Sequence, residues 1–258
     1  MNILDRIMEE RRVAVEEARR TMPVKELRRA AESRVHHSLP QALRSAPGPG
    51  IIAEMKKASP SAGELRPGYD PAAIARDYAA HGACALSVLT EPLHFLGNEE
   101  HLRSVRQAVD LPILRKDFIC DPYQVYEAAA WGADVVLLIV AALDEPTLFE
   151  LHRTARDRGL DVLAEAHTAE ELETALRLED AVVGVNSRNL KTLQTDLETA
   201  RLLSRTIPSG RLAVAESGIR TRADIDRLRR TGYRGFLIGE TLMRSPDPGG
   251  VLREFSRP

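Results

Sequence analysis

The chain has 258 residues, 43% of them hydrophobic, enough to bury the core of one large α/β domain or of two small ones. Its 36 basic and 38 acidic side chains leave a formal charge of −2 with no block of one sign, which argues against partners such as nucleic acid or an anionic membrane. Cys84 and Cys120 lie far apart without CxxC or Cys/His spacing, so neither a disulfide framework nor a zinc site is encoded and a reducing, cytoplasmic setting is expected.

The first segment, ILDRIMEERRVAVEEARR, places Ile3, Ile7 and Met8 near one face, followed by Val13 and Ala14 or Ala18, and predicts an amphipathic helix. It has charges every few residues and no apolar h-region, so it is not read as a signal peptide. A shorter helix follows in PVKELRRAAES, and the turn-rich APGPG closes residues 1–45 as a helical extension that packs on the following domain or plugs one end of it.

From residue 46 to 258 one unit recurs: a short run rich in Val, Ile and Leu, a polar turn, then an amphipathic helical segment. The runs are GIIAEMK, ACALSVLT, LPILRKDF, ADVVLLIV, DVLAEAH, AVVGVNSR, RLAVAESG and RGFLIGE. The longest apolar stretch, ADVVLLIVAAL, is shorter than the roughly 20 residues a membrane-spanning helix needs. Asp70-Pro71 and Asp121-Pro122 supply an N-cap acceptor followed by a first-turn proline, and Thr168 with Glu171 reads as a capping box. HGA, WGA and RTGY place a helix-stopping glycine just before the next strand.

Apolar strands joined by helices imply a parallel sheet covered on both faces, since right-handed crossovers lay the helices over it. Eight units without a composition break predict an α/β protein with a (β/α)8 barrel, an architecture of ~250 residues. An open doubly wound sheet is the alternative, but no GxGxxG follows the first strand.

In such a barrel, reactive groups project from the C-terminal strand ends. Those ends carry Glu54 and Lys56 on strand 1, Lys116 on strand 3, Glu165 on strand 5, Asn186 and Arg188 on strand 6, and Glu216 on strand 7. Residues two apart share a strand face, so Glu54 and Lys56 point one way, as do Asn186 and Arg188. Taken singly, each is an ordinary rim residue or half of a structural ion pair; two lysines and several carboxylates in one ring suit acid/base chemistry, with a Schiff base open to either lysine. No Ser/His/Asp arrangement or metal spacing is readable, and His167 alone beyond Glu165 reads as structural. The glycines of ESGI and IGE sit where barrels of this type hold phosphate, and Ser59 after strand 1 adds a hydroxyl. Physics alone therefore points to a small phosphorylated substrate and acid/base catalysis.

IIAEMKKASPSAG, SVLTE, LRKDFICDPYQVYEAAAWGADVVLLIVAAL, LAEAH, GVNSRNL, AVAESGI and FLIGETLMRS together resemble the indole-3-glycerol phosphate synthase family, in order and over nearly the whole chain. The resemblance implies ring closure, decarboxylation and dehydration of 1-(2-carboxyphenylamino)-1-deoxyribulose 5-phosphate in tryptophan biosynthesis, with no cofactor or metal; separately, a monomer or weak homodimer is expected. It gives Lys116 the role of acid for ring closure, and Lys56, Glu54 and Glu165 those of acid and base for dehydration, their division left open. A lysine serves as an acid if its pKa falls from ~10.4 toward neutrality, and desolvation with neighbouring cations is the expected means. Asn186, Arg188, Glu216 and the apolar wall Phe95 are implied to bind the substrate, with Arg188 holding the anthranilate carboxylate. Ser59, Ser217, Gly218, Gly239 and Glu240 are implied to hold its phosphate, Glu240 through its amide with the carboxylate turned away.

The loop after strand 1 departs from the family pattern at Ala62, where a lysine is usual, and TEPLHFLGN after strand 2 lacks the usual aspartate and second aromatic residue. Two rivals are a phosphoribosylanthranilate isomerase-like barrel, which would need a Cys/Asp pair that Cys84 and Cys120 are not placed to supply, and a non-catalytic phosphate-ligand binder. A binder has no reason to keep Lys56, Lys116 and Glu165 together.

Overall fold

The computed structural model describes residues 3–32, 34–59, 63–66, 68–189, 192 and 194–258, except the side chain of Ser59. Eight parallel strands close into a barrel in which each strand pairs with its sequence neighbours and the last with the first. They are β1 Gly50–Met55, β2 Ala85–Leu89, β3 Ile113–Lys116, β4 Val135–Ile139, β5 Asp161–Ala166, β6 Val182–Asn186, β7 Ala213–Glu216 and β8 Gly235–Ile238. Each apolar run named from the sequence supplies one strand. A two-stranded antiparallel hairpin, Ala58–Ser59 with Gly63–Glu64, follows β1.

The period of two along each strand sorts the side chains. Ile52, Leu114, Leu163, Val214 and Leu237 fill the barrel interior. Ile51, Ala53, Met55, Ile113 and Val183 face outward into the layer beneath the helices. Each reactive side chain lies two or four positions beyond an interior residue and so inherits the inward direction: Glu54 and Lys56 after Ile52, Lys116 after Leu114, Glu165 after Leu163, Glu216 after Val214.

Among the described residues twelve α-helices run in chain order: α1 Ile3–Thr21, α2 Val24–Ala30, α3 Leu39–Ser45, α4 Pro71–Ala80, α5 Glu99–Ala108, α6 Pro122–Trp131, α7 Glu145–Asp157, α8 Ala169–Leu176, α9 Leu197–Leu203, α10 Arg222–Arg229, α11 Glu240–Arg244 and α12 Pro248–Ser256. Asp70 and Asp121 cap α4 and α6 through side-chain oxygens. Gly132 ends α6 at φ 94°, a left-handed conformation that glycine adopts without a Cβ penalty. Thr168 accepts the Glu171 amide, but Glu171 reaches one residue past the expected capping-box partner, to the His167 amide at 2.7 Å.

The first three helices run from one end of the barrel to the other. α1 sends Ile3, Leu4 and Ile7 into the cavity at the C-terminal mouth. α2 packs on α6, where Leu27 and Val15 meet Tyr123 and Ala130. α3, which the sequence reading did not separate from the linker, puts Leu39 and Leu43 into the interior cluster at the opposite end. Its signal was local: Ser38 caps the Gln41 amide and Pro40 stands in the first turn. The buried stripe of α1 is Leu4, Ile7, Met8, Arg11 and Val15, whereas the expected Val13 is 54% exposed. The difference comes from Arg11, whose guanidinium is drawn inward by the buried Asp117 carboxylate at 3.0 Å and carries the stripe over it.

Candidate active site

A cavity of about 560 Å³ opens at the C-terminal ends of the strands. Glu54, Lys56, Lys116, Glu165, Asn186, Arg188 and Glu216 all line it, as do Phe95, Ser217, Gly218, Gly239 and Glu240. The hydroxyl of Ser59 and residue Ala62 lie outside the described atoms.

At the floor stand two ion pairs. Lys116 Nζ donates to Glu165 Oε2 at 2.7 Å and to Glu216 Oε2 at 3.2 Å. Lys56 Nζ donates to Glu54 Oε1 at 2.8 Å. All three carboxylates are buried, so water cannot replace these partners. Burial alone would raise the pKa of Glu54, but Lys56 and Lys116 outweigh it and hold the carboxylate below its ordinary range. Glu165 is likewise held well below that range, burial being overcome by Lys116 and His167. Glu216 goes the other way: burial and the neighbouring Glu165 charge push it up to about 8 despite Lys116. Of the two carboxylates that share Lys116, Glu216 is therefore the one that takes up a proton more readily.

The expected lowering of the Lys116 pKa does not occur. Burial would depress it, but Glu165, Glu216 and Glu54 surround the ammonium and raise it above the ordinary lysine value. The cations that were expected to crowd Lys116 are engaged elsewhere: Lys56 pairs with Glu54, and Arg115, one residue away, points outward through the pleat.

Glycines make the room for two of these carboxylates. A Cβ on Gly184 would stand 2.2 Å from Glu216 Oε1, and one on Gly239 would stand 2.3 Å from Glu54 Oε1. Gly184 was not singled out from the sequence, although an isolated glycine inside a strand, as in VVGVN, signals a close approach.

Beside this floor the walls are apolar. Phe95 and Phe118 lie with ring centroids 6.1 Å apart, and Leu137, Ile139 and Leu237 continue the surface. The loop carrying Phe95 is organised by the buried Glu91 carboxylate. It accepts the amides of Leu93, His94 and Phe95 at 2.9, 2.7 and 3.0 Å. His94 in turn meets Glu10 of α1 at 2.6 Å, tying the loop to the helix over the mouth.

A second tie to α1 runs behind Lys116. Asp117 Oδ2 accepts Arg11 at 3.0 Å, Arg115 Nη2 at 2.9 Å and the Thr90 hydroxyl at 2.8 Å, while Oδ1 accepts the Phe118 amide at 2.8 Å. Arg115, fully buried, also pairs with Glu127 at 3.1 Å and lies 4.0 Å over the Trp131 ring. Burial would raise the Asp117 pKa, but Arg11 and Arg115 keep it below its ordinary range. Neither Asp117 nor Arg11 was identified from the sequence, because both look like ordinary charged residues until the fold brings β3 under α1.

At the far side, β7 and β8 end in Ser217, Gly218 and Gly239. Ser217 and Gly218 adopt φ of 65° and 80°, a left-handed pair that turns the chain at the cavity rim. Gly239 precedes α11 at the cavity rim, and no side chain caps the backbone N–H groups of that first turn. The Glu240 carboxylate lies 3.0 Å from Arg244 and 3.6 Å from Arg188. Asn186 Oδ1 accepts the Arg188 amide at 3.0 Å, and Arg188 Nε meets Thr195 at 3.4 Å.

A family model described as indole-3-glycerol phosphate synthase matches residues 4–255. The chain is 48% identical to the indole-3-glycerol phosphate synthase of Laribacter hongkongensis over 256 residues, 97% of each chain. It is 47% identical to that of Carboxydothermus hydrogenoformans over 257 residues, 96% of this chain and 97% of the other. Among solved structures it resembles a thiamine phosphate pyrophosphorylase from Pyrococcus furiosus (TM-score 0.58, 19% identity, 80% of this chain and 93% of the other). It also resembles an N-acetylmannosamine-6-phosphate 2-epimerase from Clostridium perfringens (TM-score 0.59, 15% identity, 80% and 93%). At these identities the two structures speak to the barrel fold alone.

Proposed function

Because the chain belongs to the indole-3-glycerol phosphate synthase family, we propose that its two ion pairs divide the chemistry of that reaction between them. The enzyme is a carboxy-lyase that converts 1-(2-carboxyphenylamino)-1-deoxyribulose 5-phosphate to indole-3-glycerol phosphate, carbon dioxide and water. The observation that carries the division is the separation of Lys116–Glu165 at 2.7 Å from Lys56–Glu54 at 2.8 Å.

Ring closure joins an aromatic carbon to the ketone carbon, and the ketone oxygen becomes an alkoxide as the bond forms. Lys116 protonates it. Its raised pKa keeps the proton in place at working pH, and the developing alkoxide is a stronger base than the amine, so transfer is favourable at the transition state. The aromatic carbon then sheds its carboxylate as neutral CO₂ beside Phe95, Phe118 and Leu237, whose apolar surface favours loss of the charge. Dehydration needs an acid for the departing hydroxyl and a base for the proton that restores the aromatic ring; Lys56 and Glu54 fill these roles. Glu216, whose pKa is raised by burial, donates to a sugar hydroxyl or accepts from it.

Arg188 and Asn186 bind the anthranilate end. Arg188 already faces a carboxylate, Glu240, and exchanges it for that of the substrate in a fork geometry. The amides of Ser217, Gly218, Gly239 and Glu240 receive the phosphate with Ser59, and the Glu240 side chain is drawn off by Arg244. We treat residues 1–45 as an extension of a 46–258 catalytic barrel, working as a monomer or weak homodimer on a small phosphorylated substrate, without nucleic acid or membrane partners. Two free cysteines support a cytoplasmic setting. Among the described residues no helix is long and apolar enough to cross a membrane.

The test is indole fluorescence on addition of the carboxyphenylamino-deoxyribulose phosphate. Wild type forms product, and Lys116→Ala loses at least the roughly 10²-fold typical of a general acid. Full activity in Lys116→Ala removes it as the acid.

A further inference from the structure

Behind Glu165, on the side away from Lys116, lies a histidine that does not line the cavity. His167 is buried, and its two ring nitrogens face two different carboxylates. Nε2 stands 3.3 Å from Glu165 Oε1, and Nδ1 stands 3.0 Å from Glu171 Oε2. Glu171 is fixed by the His167 amide at 2.7 Å and is 21% exposed, so it connects the ring to solvent. Nε2 is buried, and Glu165 Oε1 is the carboxylate oxygen that it faces. The order Glu171, His167, Glu165, Lys116 is therefore a line of proton-carrying groups running from the partly exposed Glu171 to the acid.

The reaction needs such a supply. In its acid form the substrate loses CO₂ and H₂O with all hydrogens accounted for. Its benzoate is ionised near neutrality, so each turnover takes one proton from solvent. Lys116 reaches solvent through the same cavity that the substrate occupies, lined in part by Ile3, Leu4 and Ile7, so bound substrate competes with water for that route.

Resting on the reaction assigned above, we propose that His167, backed by Glu171, returns to Lys116 through Glu165 the proton spent in each turnover. The steps balance without redox change. Lys116 gives its proton to the ketone oxygen and becomes a neutral amine. The Glu165 carboxylate takes the Nε2 proton of His167 and passes it to that amine, and neutral His167 regains a proton at Nδ1 from solvent by way of Glu171. His167 acts through Glu165 and does not touch substrate.

The charges run in the required direction. Burial would lower the pKa of His167, but Glu165 and Glu171 raise it to about 9, so the ring is loaded at neutral pH. The Lys116 ammonium is a weaker acid still, so net transfer from imidazolium to amine is downhill. The groups facing Glu165 are Lys116 from β3, Glu216 from β7, Glu54 from β1 and His167 beyond its own strand. Loss of the Lys116 charge removes the strongest influence keeping Glu165 ionised, which opens the relay at the moment it is needed.

The experiment is rapid-mixing indole fluorescence on wild type, His167→Gln and Glu171→Gln, with thermal melting to confirm folding. In His167→Gln the side-chain amide keeps a donor near Glu165 but cannot pass a proton on. Since Lys116 starts loaded, the variant completes its first turnover near the wild-type rate, as a burst equal to the enzyme concentration. Later turnovers slow by ~10-fold or more while KM stays within about twofold, and added imidazole partly restores them. The alkaline limb of wild-type kcat near pH 9 is lost in His167→Gln. Glu171→Gln shows the same burst with a smaller slowing, and serves alone if His167→Gln fails to fold. Unchanged steady-state turnover, or a first turnover slowed as much as the rest, overturns the relay. No indole product from wild type overturns the assigned reaction itself, and the relay with it.

Discussion

Asp117 is the sharpest test of how the site is held. Its Oδ2 accepts Arg11, Arg115 and Thr90, and its Oδ1 the Phe118 amide, all in a buried setting. In Asp117→Asn the Oδ1 contact to Phe118 survives, but an NH₂ group then meets two guanidinium donors and the negative charge between them is gone. Arg115 has no exposure through which to find water, although Glu127 and the Gln124 carbonyl remain to it. Breaking a buried ion pair by removing one partner costs about 3–5 kcal/mol. At roughly 2 °C per kcal/mol for a chain of this size, Tm falls by ~6–10 °C. Arg11 is also released, so α1 loses one of its ties over the mouth and KM rises. Thermal melting by circular dichroism and steady-state indole formation measure the two effects. An Asp117→Asn melting point within about 2 °C of wild type would refute the reasoning, since the two arginines would then have been satisfied without the carboxylate. Arg11→Ala, which leaves Asp117 paired to Arg115, has the smaller effect on Tm and a comparable one on KM.

Gly184→Ala places a methyl group 2.2 Å from Glu216 Oε1, so Glu216 must swing away from Lys116; kcat drops by ~10-fold or more, and an unchanged kcat would mean that this carboxylate does not need its position. His36 joins the extension to the barrel floor, 3.6 Å from Asp134 and 3.5 Å from Asp161, and these partners raise its pKa to about 9. Its folded value lies above the unfolded ~6.5, so this stabilisation is complete below about pH 6.5 and is lost as pH rises through 9. Arg34, Arg106 and His37 face the same aspartate. Tm therefore falls more steeply between pH 6 and 9.5 in wild type than in His36→Gln, and parallel curves would count against the assignment.

The barrel was legible because its two signals are local and repeated. A buried parallel strand must be nearly all apolar, and a helix must start and stop at capping residues; eight such units leave few ways to close a sheet. The reactive ring was legible for the same reason, since the pleat carries a strand's inward direction past its last interior residue to Glu54, Lys56, Lys116, Glu165 and Glu216. Resemblance to a known family then added the substrate, which no periodicity could supply.

What the sequence could not show depends on residues far apart in the chain. Arg11 reads as a solvated helix residue until Asp117, 106 positions away, pulls it inward. The Lys116 pKa could not be set from neighbours along the strand, because the carboxylates that raise it come from β1, β5 and β7. Charge and hydrogen bonding act through space at about 3 Å, so composition and spacing determined which residues reach the mouth, and only tertiary packing decided which of them share a proton.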